Sequence, residues 1–522
     1  MRSQPALVFV AIFILVFLLH APLLSLPYFW DEAGYYVPAA RDLLLKGSLI
    51  PQTTISNAHP PLVMAWVALW WKCAGFAPVV ARSAMVVASA FSLLGLYRLA
   101  ERVANREVAI ASTLCTAVYP VFFSQSSLVQ VDLAAAGLIF WGLTAYLESR
   151  WKATAIWFSL AALAKETAII APLSLAAWEV LKGQSRVRRC MAKWDDEGQT
   201  PVSLRGVGAL VIPLIPLAAW YCYHYVRTGY VLGNPEFFRY NVAATLNPLR
   251  FLLALILRLW QTFGYLHLWV LTGAMLLLLM EPPVKDDAIE RQRIAVPLQV
   301  TFFVVIAAYV MSMALVGGAV LARYLLPAVP LVIILAVSTL RRRIRHWPAA
   351  VVFVVVAFVA AWYWNPPYGY SPEDNLGYHD YVAIHQDAER FLEARFPMAR
   401  VLTAWPASDE LTRPWLGYIT RPLRVVRIED FSLEQVLSAS DVRSDFDVAL
   451  VFSTKYEPAH PLLDRWEKWT ELKRRFFGYE RDLPAAAAAQ ILRGRIVFSE
   501  ERKGQRVAVI QLDDNEILNA RR

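Results

Sequence analysis

Cysteine is scarce in this 522-residue sequence: Cys73, Cys115, Cys190 and Cys222 are scattered through the first half. Their spacing excludes a disulfide framework and a thiolate zinc motif. Glycine fingerprints for a nucleotide sugar or a dinucleotide are absent as well. Charge is scarce in one part only. Of the first 364 residues 46 are Asp, Glu, Lys or Arg, against 47 of the last 158. So few charges cannot cover a water-facing surface, which rules out a single soluble globule. Residues 1–364, with apolar runs of bilayer length, read as a polytopic α-helical membrane domain. Residues 365–522 read as a soluble domain long enough to fold on its own core. The Pro- and Gly-rich stretch Asn365 to Asn375 is the natural linker.

The formal net charge of +9 is carried by the membrane part. Its cations sit in short loops between apolar segments, not clustered with aromatics on one face, so topology explains them and nucleic-acid binding is excluded. Apolar runs at 6–26, 79–97, 108–124, 132–147, 153–164, 167–181, 206–226, 261–280, 294–316, 324–340 and 348–364 give about eleven transmembrane helices. The first lacks a small-residue cleavage site and reads as an uncleaved span. With the N-terminus cytoplasmic, 19 of the 29 cations of residues 1–364 fall on the inner side and the C-terminal domain lies outside. Counting 60–76 as another span would invert every later loop. That segment, with Trp66, Trp70, Trp71 and Lys72, therefore reads as an interfacial helix, and Asp31 to Gly47, with apolar residues at helical spacing from Tyr36 on, as a second one before it. In the tail, β-rich runs at 400–404, 424–428, 447–452, 495–498 and 507–512 alternate with helical stretches at 381–394 and 462–476, the pattern of a small α/β or α+β sandwich.

Asp31 and Glu32 follow the first span directly, behind Tyr28, Phe29 and Trp30. Such a pair serves as a helix cap with a first-turn acid. It equally provides a carboxylate at the membrane edge to take a proton from a hydroxyl nucleophile, and Asp31 can do both. His59-Pro60-Pro61-Leu62 opens the second surface helix, the prolines fixing the entry. Arg82 begins the second span, Lys165-Glu166 forms the turn between two short spans, and Arg323 precedes Tyr324-Leu325-Leu326-Pro327. A single cation can simply snorkel to headgroups. Several on one side suit an anion at membrane level, above all a phosphate on a lipid tail. Asp132 follows Val131 at an outer span boundary, where a cap is the ordinary use, and Tyr324, Tyr265 and His267 are candidates to line the same cavity. The tail acids Asp409 and Glu410 show no catalytic spacing and read as a solvated face.

An outer-loop Asp-Glu, a His-Pro-Pro-Leu helix, an Arg opening the next span, an outer Asp132 and Ala322-Arg323-Tyr324-Leu325-Leu326-Pro327 occur in one order. Over roughly residues 6–340 this set resembles the GT-C glycosyltransferases of the protein O-mannosyltransferase and aminoarabinose-transferase branch. The resemblance implies a GT-C fold and an inverting transferase. Such an enzyme passes a sugar from a polyprenyl-phosphate donor to a hydroxyl or phosphate of a protein, glycolipid or polysaccharide at the outer face. Asp31 would correspond to the catalytic acid, with Glu32 beside it. Arg82 and Arg323 would hold the donor phosphate with His59 and Lys165, and Asp132, Tyr324 and His267 would line the acceptor cavity. His59 stands where the aminoarabinose branch has Lys and agrees with the mannosyl branch. The eukaryotic insertion is missing and the tail resembles the outer domain of bacterial members, which implies a bacterial inner membrane and a periplasmic tail. No cofactor is required, since a lipid phosphate leaves well once cations share its charge, and a divalent metal is left open but not indicated. A sugar-lipid transporter and a non-catalytic envelope assembly protein remain the other readings.

Overall fold

A computed structural model describes residues 4–513 except 183, 185–202, 232, 234–246, 288, 317–318, 457, 459–465 and 480. Cys190, most of the basic loop at 182–205 and the expected helix start at Leu462 lie outside the described residues. The chain divides into two compact units, Met1–Pro22 with Ala39–Trp362, and Leu23–Pro38 with Tyr363–Arg522.

The first unit is helical, and a helix lies on each apolar run read from the sequence. Among the described residues five helical stretches are long and apolar enough to cross a bilayer: Pro5–Leu23, Pro78–Val103, Leu204–Thr228, Pro248–Leu278 and Val296–Leu315. Proline opens several of these helices, where its missing N–H costs nothing. Asn105, Ser203 and Asn247 cap helices by accepting first-turn N–H groups, the last on the helix that Pro248 opens. Gly137 brings the Val131–Leu147 helix against Pro78–Val103. A Cβ there would stand 2.8 Å from the Ser92 Cα, so only glycine permits the approach.

The segment after the first helix carries helices at Val37–Lys46 and Leu62–Ala74, preceded by a π-helical turn, Glu32–Tyr36. One expected run is divided differently. The helix expected at 261–280 starts at Pro248, ends at Phe263 and resumes at Leu268. Leu266 and His267 lie between with φ of 46° and 67°, a left-handed backbone that cannot continue a right-handed helix.

The second unit contains a five-stranded sheet: β1 (Arg400–Ala404), β2 (Arg424–Ile428), β3 (Val448–Phe452), β4 (Gly494–Arg502) and β5 (Gln505–Leu512). The order is β2-β1-β3-β5-β4, parallel across β2, β1 and β3 and antiparallel from β3 to β4. Every residue of β3 is buried, as an unbroken apolar run in a central strand should be. The helix Gly377–Arg395 packs on β4 and β5. Asp409 and Glu410 are not a solvated face. They lie in the short helix Ala407–Glu410 after β1, 5% and 0% exposed, because neighbouring strands and helices cover that turn.

Leu23–Pro38 groups with the C-terminal residues, not with the helices around it in sequence. The Tyr28 N–H donates to the Leu416 carbonyl at 3.2 Å, and the Tyr418 hydroxyl donates to the Tyr28 carbonyl at 3.2 Å. The Phe29 ring meets Tyr381 edge to face, with centroids 5.1 Å apart.

Candidate functional site

In the helical unit the candidate cations come to buried turns. Lys165 ends the Trp151–Ala164 helix in an extended conformation, and Arg323 lies in the turn Ala322–Leu325. Both pair with Asp132, in the first turn of Val131–Leu147: the Lys165 ammonium donates to one carboxylate oxygen and Arg323 Nε stands 3.2 Å from the other. Gln130 holds the cap position of that helix, so Asp132 is an ion-pair centre and not a cap. Lys165, Arg323 and Asp132 are 5%, 2% and 3% exposed. Charges buried this deeply in an apolar bundle persist only when paired or put to use.

Tyr324 collects the cations. Lys165 Nζ lies 3.9 Å from its ring centroid, and the guanidinium carbons of Arg323 and Arg258 lie 5.6 Å away. Arg258 is a residue the sequence reading missed. It donates to the Leu321 carbonyl at 2.7 Å and to the Gln261 side chain at 2.8 Å, fastening the chain that leads into Arg323. Its signal was a cation inside the apolar stretch Phe251–Leu259, which the expected span boundary had assigned to an outer loop.

His59 is held by its surroundings. Ala58 has φ of 58°, and its carbonyl accepts the Trp220 indole N–H at 2.9 Å, while Pro60 and Pro61 lead into the Leu62–Ala74 helix. The imidazole Nδ1 lies 2.8 Å from a Glu166 carboxylate oxygen. Glu166 is thus a second unforeseen member, adjacent in sequence to the expected Lys165. The fully buried Arg82 donates to the Ser127 carbonyl at 3.3 Å, in the loop that leads to Asp132. His267 is placed elsewhere: its Nδ1 pairs with the Ala357 carbonyl at 2.8 Å, because the helix break turns it toward Trp347–Tyr363.

Asp31 belongs to the second unit. Trp30, just before it, has φ of 47°, a strained backbone for a bulky residue. A π-helical turn follows at once, a feature concentrated at functional sites. The cap expected of Asp31 is not made by its side chain. Glu32, fully buried, accepts the Phe29 N–H at 2.8 Å and closes the turn from within. The loop is clamped from outside by aromatics: Trp30 lies 5.3 Å from Trp405 and 5.6 Å from Tyr381, centroid to centroid. A Cβ on Gly34 would stand 2.6 Å from the Trp405 ring, so glycine is required for that contact. Asp31 itself is partly exposed.

Residues 58–195 match the family model described as dolichyl-phosphate-mannose-protein mannosyltransferase. Among solved structures, ArnT from Cupriavidus metallidurans bound to undecaprenyl phosphate is similar over 98% of both chains, at 15% identity and a TM-score of 0.54. The same protein in the apo state is similar over 97% of both, at 14% identity and a TM-score of 0.55. The archaeal oligosaccharyltransferase AglB from Archaeoglobus fulgidus, in complex with an inhibitory peptide and a dolichol-phosphate, aligns over 85% of this chain and 69% of its own, at 11% identity and a TM-score of 0.44. No curated protein sequence matches the chain. At these identities the likeness to ArnT shows the fold.

Proposed function

We propose that this multi-pass membrane glycosyltransferase of the GT-C fold moves a sugar from a polyprenyl-phosphate donor to an acceptor hydroxyl or phosphate, with inversion at the anomeric carbon. The observation that carries the reading is the gathering of Lys165, Arg323 and Arg258 on the Tyr324 ring beside Asp132, buried among apolar helices. A phosphate on an isoprenoid tail matches both properties: the anion suits the cations, and the tail suits the bundle. The undecaprenyl phosphate of the ArnT structure and the dolichol-phosphate of the AglB structure are lipids of that class.

In this reading Asp31 is the base. It takes the acceptor proton as the acceptor oxygen attacks the anomeric carbon, and the bond from that carbon to the phosphate oxygen breaks. The lipid phosphate leaves with the electron pair, its charge shared by Arg323, Lys165, Arg82 and His59. Glu32 positions the Asp31 turn through the Phe29 N–H. Asp132 sets the spacing of Lys165 and Arg323, and Tyr324 forms part of the cavity wall. The transfer step requires no metal. Residues 1–364 form the membrane domain with about eleven spans and two interfacial helices. Residues 365–522 lie on the periplasmic side of a bacterial inner membrane and help to select a protein, glycolipid or polysaccharide acceptor.

Purified protein given a labelled polyprenyl-phosphate sugar tests the roles separately. Arg323→Ala should lose donor binding, whereas Asp31→Asn should keep it and lose transfer. Full transfer by Asp31→Asn, or unchanged donor binding by Arg323→Ala, would remove the corresponding role.

A further inference from the structure

In the second unit three side chains that the transfer chemistry does not use meet in the interior. His385 and Glu389 stand one helical turn apart on Gly377–Arg395, and Glu410 ends the short helix after β1. All three are 0% exposed. His385 Nδ1 lies 2.8 Å from a Glu410 oxygen and 3.8 Å from a Glu389 oxygen, and one ligating atom from each falls within 4.8 Å of the others. Outside the cluster no described residue hydrogen-bonds to either oxygen of Glu389. Buried carboxylates are ordinarily hydrogen-bonded, paired with cations or bound to metal. Two of them against one imidazole, with Glu389 left without an outside donor, is a donor set that suits a cation.

We propose that His385, Glu389 and Glu410 form a binding site for a divalent transition-metal ion of the zinc class. Ligands about 2.0–2.1 Å from a tetrahedral centre stand roughly 3.3 Å from one another, and the separations of 2.8 and 3.8 Å bracket that figure. One imidazole nitrogen with two carboxylate oxygens is a borderline donor set, which suits zinc better than the all-oxygen shells of calcium or magnesium. The ring binds as neutral imidazole, with its proton on Nε2 and the Nδ1 lone pair given to the ion. A fourth position falls to water.

The position gives the ion a structural consequence. The His385 ring stacks on Tyr381 with centroids 3.8 Å apart, and Tyr381 in turn packs on Phe29 and Trp30. Glu410 ends the segment that begins at Trp405, which packs on Trp30 and Gly34. The two elements joined by the ion are therefore the two that clamp the turn carrying Asp31, and the ion would brace that turn.

The test uses full-length protein in detergent, stripped with a chelator and then titrated with zinc chloride, reading bound zinc per chain and the thermal midpoint. Wild type should retain one equivalent more zinc than Glu389→Gln or Glu410→Gln, and zinc should raise its midpoint but not theirs. Equal zinc content in wild type and the folded variants would overturn the proposal, since the ion would then sit elsewhere. Should a variant fail to fold, wild type decides alone. An X-ray absorption shell of one imidazole with oxygen ligands and a raised midpoint supports the site, and no midpoint change with zinc refutes it.

Discussion

Asp132 and Arg323 form a buried ion pair, Oδ2 to Nε at 3.2 Å, with Lys165 on the other carboxylate oxygen. One acid thus sets the spacing of two cations that come from different helix boundaries. Removing that acid takes the shared carboxylate from both cations in a bundle where water is scarce. Asp132→Asn should cost about 3–5 kcal/mol, the range for breaking a buried pair by deleting one partner. Thermal unfolding in detergent measures the loss. Added polyprenyl phosphate should raise the midpoint of the variant more than that of wild type, because its anion takes the place of the missing carboxylate.

Asp31→Asn should lower turnover by at least about 100-fold, the scale of lost general-base catalysis, with donor affinity unchanged. Initial rates over a range of donor concentrations check this. A rise in KM at constant kcat would place Asp31 in binding instead of proton transfer.

Gly34→Ala would drive a methyl group into the Trp405 ring, which lies 2.6 Å from the position the new Cβ takes. Either Trp405 or the Glu32–Tyr36 turn must shift, at a cost of about 1–3 kcal/mol as in other overpacked interiors. Turnover should fall as well, since Asp31 directly precedes that turn. Thermal midpoint and kcat read together would show both effects, and a variant unchanged in both would mean that the Trp405 clamp is dispensable.

Acid should weaken the second unit partly through Glu393. Its partial desolvation alone would raise the carboxyl. Hydrogen bonds from the Thr420 hydroxyl, the Thr420 N–H and the Arg421 N–H outweigh that effect and hold it below the ordinary glutamate range. A carboxyl depressed on folding contributes stability that is present above its unfolded value, near ~4.3, and is lost as pH falls through the folded value. Thermal midpoints taken from neutral pH down to about pH 3 should therefore fall less steeply in Glu393→Gln than in wild type. Parallel slopes would show that Glu393 has no part in the acid response.

Much of the architecture was legible because its signals are local. Apolar runs locate the helices whatever they pack against, and alternation with β-branched residues located the strands of the tail, with β1 and β2 at the expected residues. The Gly264–His267 break was not legible, since left-handed backbone at Leu266 and His267 has no composition signal. Nor was the burial of Asp409 and Glu410, because exposure depends on which strands and helices cover a turn.

By itself the sequence determined which stretches are helices or strands, which part is apolar and which rich in charge, and which acids and cations lie near helix ends. These follow from hydropathy and periodicity over windows of a few residues to about 20. Only the tertiary structure decided who meets whom. Asp132 joins Lys165 across 33 residues, and His59 joins Glu166 across 107. The turn of Asp31 rests on Trp405 and Tyr381 of the C-terminal domain. A charge states what it needs, a partner of opposite sign away from water, but only packing of the whole chain supplies the partner.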